Sequence, residues 1–272
     1  MMNEWPERLV LVGAGKMGAA MAAGWLAGGL AASSLTILEP NPSDEIAGLA
    51  ASRGVALNPA APTPPDVLAL AVKPQSLDAV APQIAPLAGE RTLVLSILAG
   101  KTIANLRARL PGARAVVRAM PNTPAAIGRG VTAAFASAAV TPEQRLWTEW
   151  LLGAVGAFHW LDDEAAIEAV TAISGGGPAY VFALTEALAA AAVSLGLPAD
   201  LAMSLARGTV EGAGELMRRE PGTPPSVLRG NVTSPGGTTA AALAVLQGND
   251  GLDALMARAA AAARARAGEM AG

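Results

Sequence analysis

The sequence predicts a doubly wound, mostly parallel α/β domain over residues 1–161, followed by an all-α domain over residues 162–272. Three observations carry this expectation. Short apolar runs alternate with helical patterns as far as Leu161, and residues 66–72 are continuously apolar after the first, as a parallel strand covered on both faces requires. The first run passes directly into Gly13-Ala14-Gly15-Lys16-Met17-Gly18 and an alanine-rich helical stretch. After Asp162 the β-branched runs vanish and helical periodicity replaces them.

Residues 8–12 form the first strand. In a strand, G-x-G-x-x-G, helix unit each glycine has its own task. Gly13 makes the tight turn, Gly15 lets a pyrophosphate approach the backbone, and Gly18 lets helix and strand pack closely. This is the Rossmann fingerprint, and it implies NAD(H) or NADP(H). The second strand, residues 34–38, ends at Glu39, and an acid there bonds the ribose 2′-hydroxyl of NAD and repels the 2′-phosphate of NADP. The turn Pro40-Asn41-Pro42-Ser43 opens the opposite possibility, that the acid swings away while Asn41 and Ser43 meet a phosphate. A helix closes at Ser52-Arg53-Gly54-Val55 and leads through Asn58, placed to touch the adenosine end, into the proline-rich connection 59–65.

Residues 66–72 read as a strand buried on both faces, and Lys73-Pro74 follow at its carboxyl end, where an α/β sheet binds its ligand. Residues 92–97 repeat the pattern into Leu98-Ala99-Gly100, and residues 115–120 repeat it before Pro121-Asn122-Thr123-Pro124. Residues 131–135 add a further strand, residues 141–155 a helix with Trp147 and Trp150, and residues 156–161 a last strand.

In the second domain Asp162 caps a helix whose first turn holds Asp163 and Glu164. Ser174-Gly175-Gly176-Gly177-Pro178 is expected to break that helix and start another. Helices follow over residues 178–195, 198–219, 237–247 and 251–267, with a loop at 221–233. So many alanines leave little core for about a hundred residues, so the apolar stripes are expected to pack on a second copy. Ser234-Pro235-Gly236-Gly237-Thr238-Thr239 is a helix start with no side chain between its N–H groups and a small carboxylate, and with two hydroxyls close by. The alternative is an ordinary cap, since Ser, Gly and Thr all start helices.

A net charge of −3 and a pI near 5.3 attract neither nucleic acid nor an anionic membrane. Mean hydropathy is +0.40, and Glu186, prolines and glycines are expected to interrupt the apolar segments before a bilayer-spanning length. There is no cysteine, and the first eight residues carry no apolar signal region, so a cytoplasmic protein is expected.

Four segments, in order along the chain, resemble the signature segments of pyrroline-5-carboxylate reductases. They are Ala71-Val72-Lys73-Pro74, Arg118-Ala119-Met120-Pro121-Asn122-Thr123-Pro124, Ser174-Gly175-Gly176-Gly177-Pro178-Ala179-Tyr180, and Val232-Thr233-Ser234-Pro235-Gly236-Gly237-Thr238-Thr239. The resemblance implies reduction of the cyclic imine 1-pyrroline-5-carboxylate to L-proline, the last step of proline biosynthesis. It implies that NAD(P)H lies on Val12, Gly13, Ala14, Gly15, Lys16 and Met17, with Asn58, Ala71, Val72, Lys73, Pro74, Ile97, Leu98 and Ala99, and with Asn231 near the nicotinamide. Substrate is implied on Ser234, Gly237, Thr238 and Thr239, with Glu164 and Thr171 nearby. In this reading the carboxylate sits on the Gly237 and Thr238 N–H groups and the Ser234 hydroxyl, while the Thr239 hydroxyl bonds the ring nitrogen. The helical domain is implied to form an intertwined homodimer that assembles further, for instance to a decamer. Gly176 stands where the family commonly has serine, and Gly222 and Gly230 stand where relatives often carry polar residues.

The side-chain chemistry agrees. The single histidine, His159, lies in an apolar strand beside Trp160, where a structural role is expected, so an acid/base residue is missing. Reducing a ketone needs one, because an alkoxide must gain a proton in step with hydride transfer. A protonated cyclic imine already accepts hydride. A 3-hydroxyacid dehydrogenase of the same two-domain plan would use a lysine of its second domain, but Lys16, Lys73 and Lys101 all fall in the first. A protein that binds NAD(P) without turnover is the remaining alternative.

Overall fold

The computed structural model describes residues 5–60 and 62–271. Residues 1–4 and Ala61 of the expected first domain, and Gly272 of the second, lie outside the described residues. Packing divides the chain into two units, Met1–Gly176 with Ala263–Gly272, and Gly177–Ala262.

Among the described residues the first unit is built on eight strands: β1 (Leu9–Val12), β2 (Leu35–Leu38), β3 (Ala56–Leu57), β4 (Val67–Leu70), β5 (Leu93–Ser96), β6 (Ala115–Met120), β7 (Gly130–Ala136) and β8 (Gly156–Trp160). They stand in the order β3-β2-β1-β4-β5-β6-β7-β8, and every neighbouring pair is parallel except β6 and β7. The two-residue β3 was not expected. It is extended because its backbone pairs with Thr36 and Ile37, not because of any side-chain pattern.

Successive strand residues face opposite layers. Leu9 and Leu11 join one core with α1 (Lys16–Ala27), α2 (Asp44–Arg53) and α5 (Pro142–Gly153), while Val10 and Val12 join another with α3 (Leu77–Ile84) and α4 (Ile103–Arg109). Trp25 is fully enclosed on α1, and its indole N–H donates to the Leu151 carbonyl at 2.7 Å, so the large ring is buried with its one polar atom satisfied. Asp78 pairs with Arg109 between α3 and α4, and the hydrogen bond from that guanidinium holds the Asp78 carboxyl below its usual range.

Past β8 the structure departs from expectation. α6 (Ala166–Val170) runs through a π turn, Thr171–Gly175, to a bend at Gly176, and α7 (Gly177–Ser194) starts directly after it with Pro178 in its first turn, so the new helix begins where 174–178 was expected to start one, but a π turn replaces an open break. Pro178 has no N–H to give the carbonyl four residues earlier, that of Ser174. The Asn122 side-chain amide donates to that carbonyl at 3.0 Å and so replaces the lost bond. Residues 162–176 therefore pack with the sheet, through α6 on β6 and β7, and not with the helices that follow. Counted across that bend, the helical stretch Ala166–Ser194 is by length and composition apolar enough to cross a membrane, whereas its glycines, proline and Glu186 were expected to keep it below that length.

In the second unit α7 packs against α8 (Ala199–Arg219), and the buried residues are Ala189, Ala202 and Ala206. The expected loop 221–233 contains a short helix, α9 (Pro225–Asn231), whose prolines occupy starting positions where no N–H is needed. α10 (Thr238–Leu246) follows, and α11 (Leu252–Ala271) ends the chain.

Candidate active site

A cavity of about 920 Å³ opens at the carboxyl ends of β1, β2 and β4. It lies where the strand order reverses, because β1 has β2 on one side and β4 on the other. Its lining brings together Val12, Gly13, Gly15, Glu39, Asn41, Asn58, Ala71, Val72 and Lys73 of the sequence-predicted cofactor residues.

The three glycines of the turn are not alike. Gly13 has φ +90°, and a Cβ on it would stand 2.7 Å from the Val72 nitrogen. A Cβ on Gly18 would fall 2.3 Å from the Gly13 carbonyl oxygen, so α1 seats directly on the turn. Gly15 meets nothing within 4 Å, although it heads α1 and lines the cavity, and no side chain caps the helix there. The chain leaves open the place where a pyrophosphate would meet the helix N-terminus, so the residues present fit a dinucleotide.

Glu39 lies at the end of β2. Its Oε2 accepts from the Ala14 N–H at 2.8 Å and its Oε1 from the Asn41 N–H at 3.1 Å. Asn58, which has φ 48°, grips the Glu39 backbone at both ends: Oδ1 accepts from the Glu39 N–H at 2.8 Å, and Nδ2 donates to the Glu39 carbonyl at 2.7 Å. The Ser43 hydroxyl accepts from the Ile46 N–H as the cap of α2, so its oxygen already serves the helix.

The other predicted cofactor residues stand outside the lining. Lys16, Met17 and Gly18 form the first turn of α1, and Pro74 opens a 3-10 turn, Pro74–Ser76. Ile97, Leu98 and Ala99 follow β5, and Leu98 is buried in the core, which leaves only its backbone for a ligand. Asn231 closes α9 in the second unit. Sequence reasoning missed a wall made by Ser76, Ala79, Val80 and Gln83. The signal was present, since residues 79, 80 and 83 share one helical face directly after β4.

In the second unit, Gly236 has φ +70°, which favours glycine, and the Gly237 N–H donates to the Ser234 carbonyl at 3.0 Å to close the turn. That N–H is therefore not the carboxylate donor expected of it. No side chain caps α10, so the ordinary side-chain cap is not formed either, and the N–H groups of Thr238 and Thr239 head the helix. Ser234, Thr238 and Thr239 are exposed.

Glu164 and Thr171 are both engaged inside the first unit. Glu164 Oε1 accepts from the Ile103 N–H at the start of α4 at 2.8 Å and lies 3.3 Å from Arg118 Nη1, which is equally close to Glu168. Arg118 is 3% exposed on β6, so two carboxylates answer a charge buried inside the sheet. The Thr171 hydroxyl donates to the Ile167 carbonyl at 2.7 Å. His159 is exposed on β8, where it stands opposite Ala133 of β7, and it is not among the residues that line the cavity.

Residues 164–270 match the pyrroline-5-carboxylate reductase dimerisation family, and residues 8–100 match the family described as NADP oxidoreductase, coenzyme F420-dependent. A pyrroline-5-carboxylate reductase of Pseudomonas aeruginosa is 42% identical over 97% of each chain. Among solved structures, a pyrroline-5-carboxylate reductase from Coxiella burnetii superposes with a TM-score of 0.89 at 34% identity, covering 98% of this chain and 99% of that one. The NADP-bound pyrroline carboxylate reductase of Plasmodium falciparum superposes with a TM-score of 0.79 at 27% identity, covering 97% and 98%. The fingerprint turn, the open cradle at Gly15 and a helix start without a side-chain cap thus occur in a chain that aligns with a reductase almost end to end. This chain belongs to the pyrroline-5-carboxylate reductase family.

Proposed function

We propose that this chain reduces 1-pyrroline-5-carboxylate to L-proline, with NAD(P)H in the cleft between β1, β2 and β4 and the substrate at the start of α10. The observation that carries the reading is the near end-to-end match to the Pseudomonas aeruginosa reductase. When bound, the dinucleotide supplies the hydride that reduces the C=N bond. Residues 1–161 hold the dinucleotide, with Gly13 and Gly15 under the pyrophosphate and Val72 and Lys73 beside it, while residues 162–272 dimerise and hold the substrate. The Thr238 and Thr239 N–H groups and the Ser234 hydroxyl take the substrate carboxylate at the positive end of α10. The Thr239 hydroxyl bonds the ring nitrogen and fixes which face is presented. No side chain has to supply the essential proton, because the iminium forms before reduction.

The enzyme is a homo-oligomer, at least a dimer and in its larger form a decamer, in the cytoplasm. The exposed apolar helix α7, Gly177–Ser194, is covered by a second copy and not by lipid, a reading supported by its place within the matched dimerisation region.

The test is steady-state kinetics of Gly237→Val. A Cβ at Gly237 stands 3.2 Å from the Ser234 oxygen, and the valine methyls crowd the helix start. kcat/KM for 1-pyrroline-5-carboxylate should fall roughly a hundredfold or more, through loss of charge-assisted bonds, while dinucleotide binding is unchanged. Wild-type kcat/KM would place the anion site elsewhere. If wild-type protein binds NAD(P)H but adding 1-pyrroline-5-carboxylate causes no loss of NAD(P)H absorbance, the protein is a non-catalytic binder.

A further inference from the structure

We infer that Glu39, held by the Ala14 and Asn41 N–H groups and by the Asn58 amide, makes this cleft select NADH over NADPH. The inference rests on the cofactor reading above and extends it to the class of dinucleotide taken.

Two carboxylate oxygens offer about four acceptor positions, and the backbone uses one on each oxygen. What remains is an ionised acid lining the cavity at the end of β2, able to accept from ribose hydroxyls and unable to accept from a phosphate. The acid is not free to swing aside. Its carboxylate is tied at 2.8 Å and 3.1 Å, and its backbone N–H and carbonyl are both tied to the Asn58 side chain. Asn58 sits in the left-handed region, which asparagine tolerates, and its own N–H donates to the Ile37 carbonyl at 2.8 Å.

The surroundings add no cation that would hold a 2′-phosphate; the neutral candidates are Asn41, which lines the cavity with its N–H on Glu39, and Ser43, whose oxygen caps α2. From Glu39 to Ser52 the chain carries three acids, Glu39, Asp44 and Glu45, and no lysine or arginine before Arg53. The α2 N-terminus, a place where a phosphate might otherwise settle, is capped by Ser43 and already complemented by Asp44 and Glu45. Among the described residues that line the cavity the cation is Lys73, which follows β4, on the far side of β1 from Glu39. A 2′-phosphate would therefore meet like charge with no compensating cation beside it.

The experiment is equilibrium binding of NADH and NADPH to the full-length protein, followed by nicotinamide fluorescence without substrate. Wild type should bind NADH roughly tenfold or more tighter than NADPH, as expected for close like charges at a surface cleft, with the gap narrowing as salt is raised. Glu39→Gln should bring the two affinities to within about threefold of each other, chiefly by tightening NADPH. Asn58→Gly keeps the backbone conformation but removes both bonds to Glu39. It should move the ratio in the same direction by a smaller factor, while thermal unfolding of the unliganded protein reports any loss of structure separately. Equal affinities in wild type, tighter NADPH, or a ratio unmoved in Glu39→Gln overturns the inference and leaves the cofactor site standing. Failure to bind either dinucleotide overturns the site itself.

Discussion

In the sheet-bearing unit, side chains as large as Trp25, Leu35 and Ile46 are wholly enclosed. Between Gly177 and Ala262 the buried apolar residues are alanines, Ala189, Ala202 and Ala206, while Phe182, Leu195 and Leu205 stand 63%, 85% and 50% exposed. Enclosing a leucine or phenylalanine contributes about 1.5–3 kcal/mol, and an alanine methyl only a fraction of that. The first unit thus carries its own hydrophobic stabilisation, while the second displays apolar surface that becomes favourable only when another surface covers it. The same contrast separates their polar groups. Arg118, Glu164 and Glu168 form a partly enclosed cluster inside the first unit, whereas Glu215, Arg218 and Arg219 form an exposed one on α8.

The largest effect should come from charging the apolar face. Leu205→Asp leaves an unpaired carboxylate in the dimer contact and should weaken association by about a thousandfold or more, read by sedimentation equilibrium. Leu146→Asp, at a similarly exposed leucine on α5, should leave assembly unchanged. If the two variants behave alike, the contrast between the units does not locate the dimer contact. Next, Arg118→Met leaves Glu164 and Glu168 without their partner and should cost about 3 kcal/mol in urea unfolding, the low end for a broken buried pair because both acids keep some exposure.

A smaller effect is expected at the substrate site. Thr239→Ala removes one neutral hydrogen bond, worth on the order of 1 kcal/mol, and kcat/KM should fall roughly tenfold with dinucleotide affinity unchanged. A drop as large as that of Gly237→Val would give Thr239 a proton-donor role. The smallest change should follow Arg218→Met. Hydrogen bonds from Arg218 and Arg219 hold the Glu215 carboxyl at about 2, so any stability it contributes is present above the ordinary carboxylate range and is lost as pH falls toward 2. The group is fully exposed, and the unfolding midpoint at neutral pH should scarcely move.

Much of the first unit was legible because its information is local. Continuous apolar runs such as 67–70 fit strands covered on both sides, and a glycine fingerprint between a strand and a helix has few alternative meanings. β3 was not legible, since Ala56 and Leu57 are made a strand by pairing with β2. The π turn before Gly176 was not legible either, because the amide that takes up the Ser174 carbonyl there comes from Asn122, more than fifty residues earlier. In the candidate site the residue types at Gly13, Gly15 and Glu39 announced a dinucleotide cleft, but the α3 wall depends on how a helix docks on the sheet.

Sequence by itself determined the doubly wound class, the place of the cleft and the family, because each follows from periodicity or from residue types at adjacent positions. Only the tertiary structure decided which polar groups are free to act. Gly237 reads as a carboxylate donor until its N–H is seen on Ser234. Asn58 lines the cleft expected of it, but that its amide holds the Glu39 backbone is seen only in the structure. Glu164 reads as a substrate neighbour until it is seen on Arg118 and the start of α4. A donor or acceptor can be spent on any group the fold brings within about 3 Å, and that choice is made by packing between segments far apart in the chain.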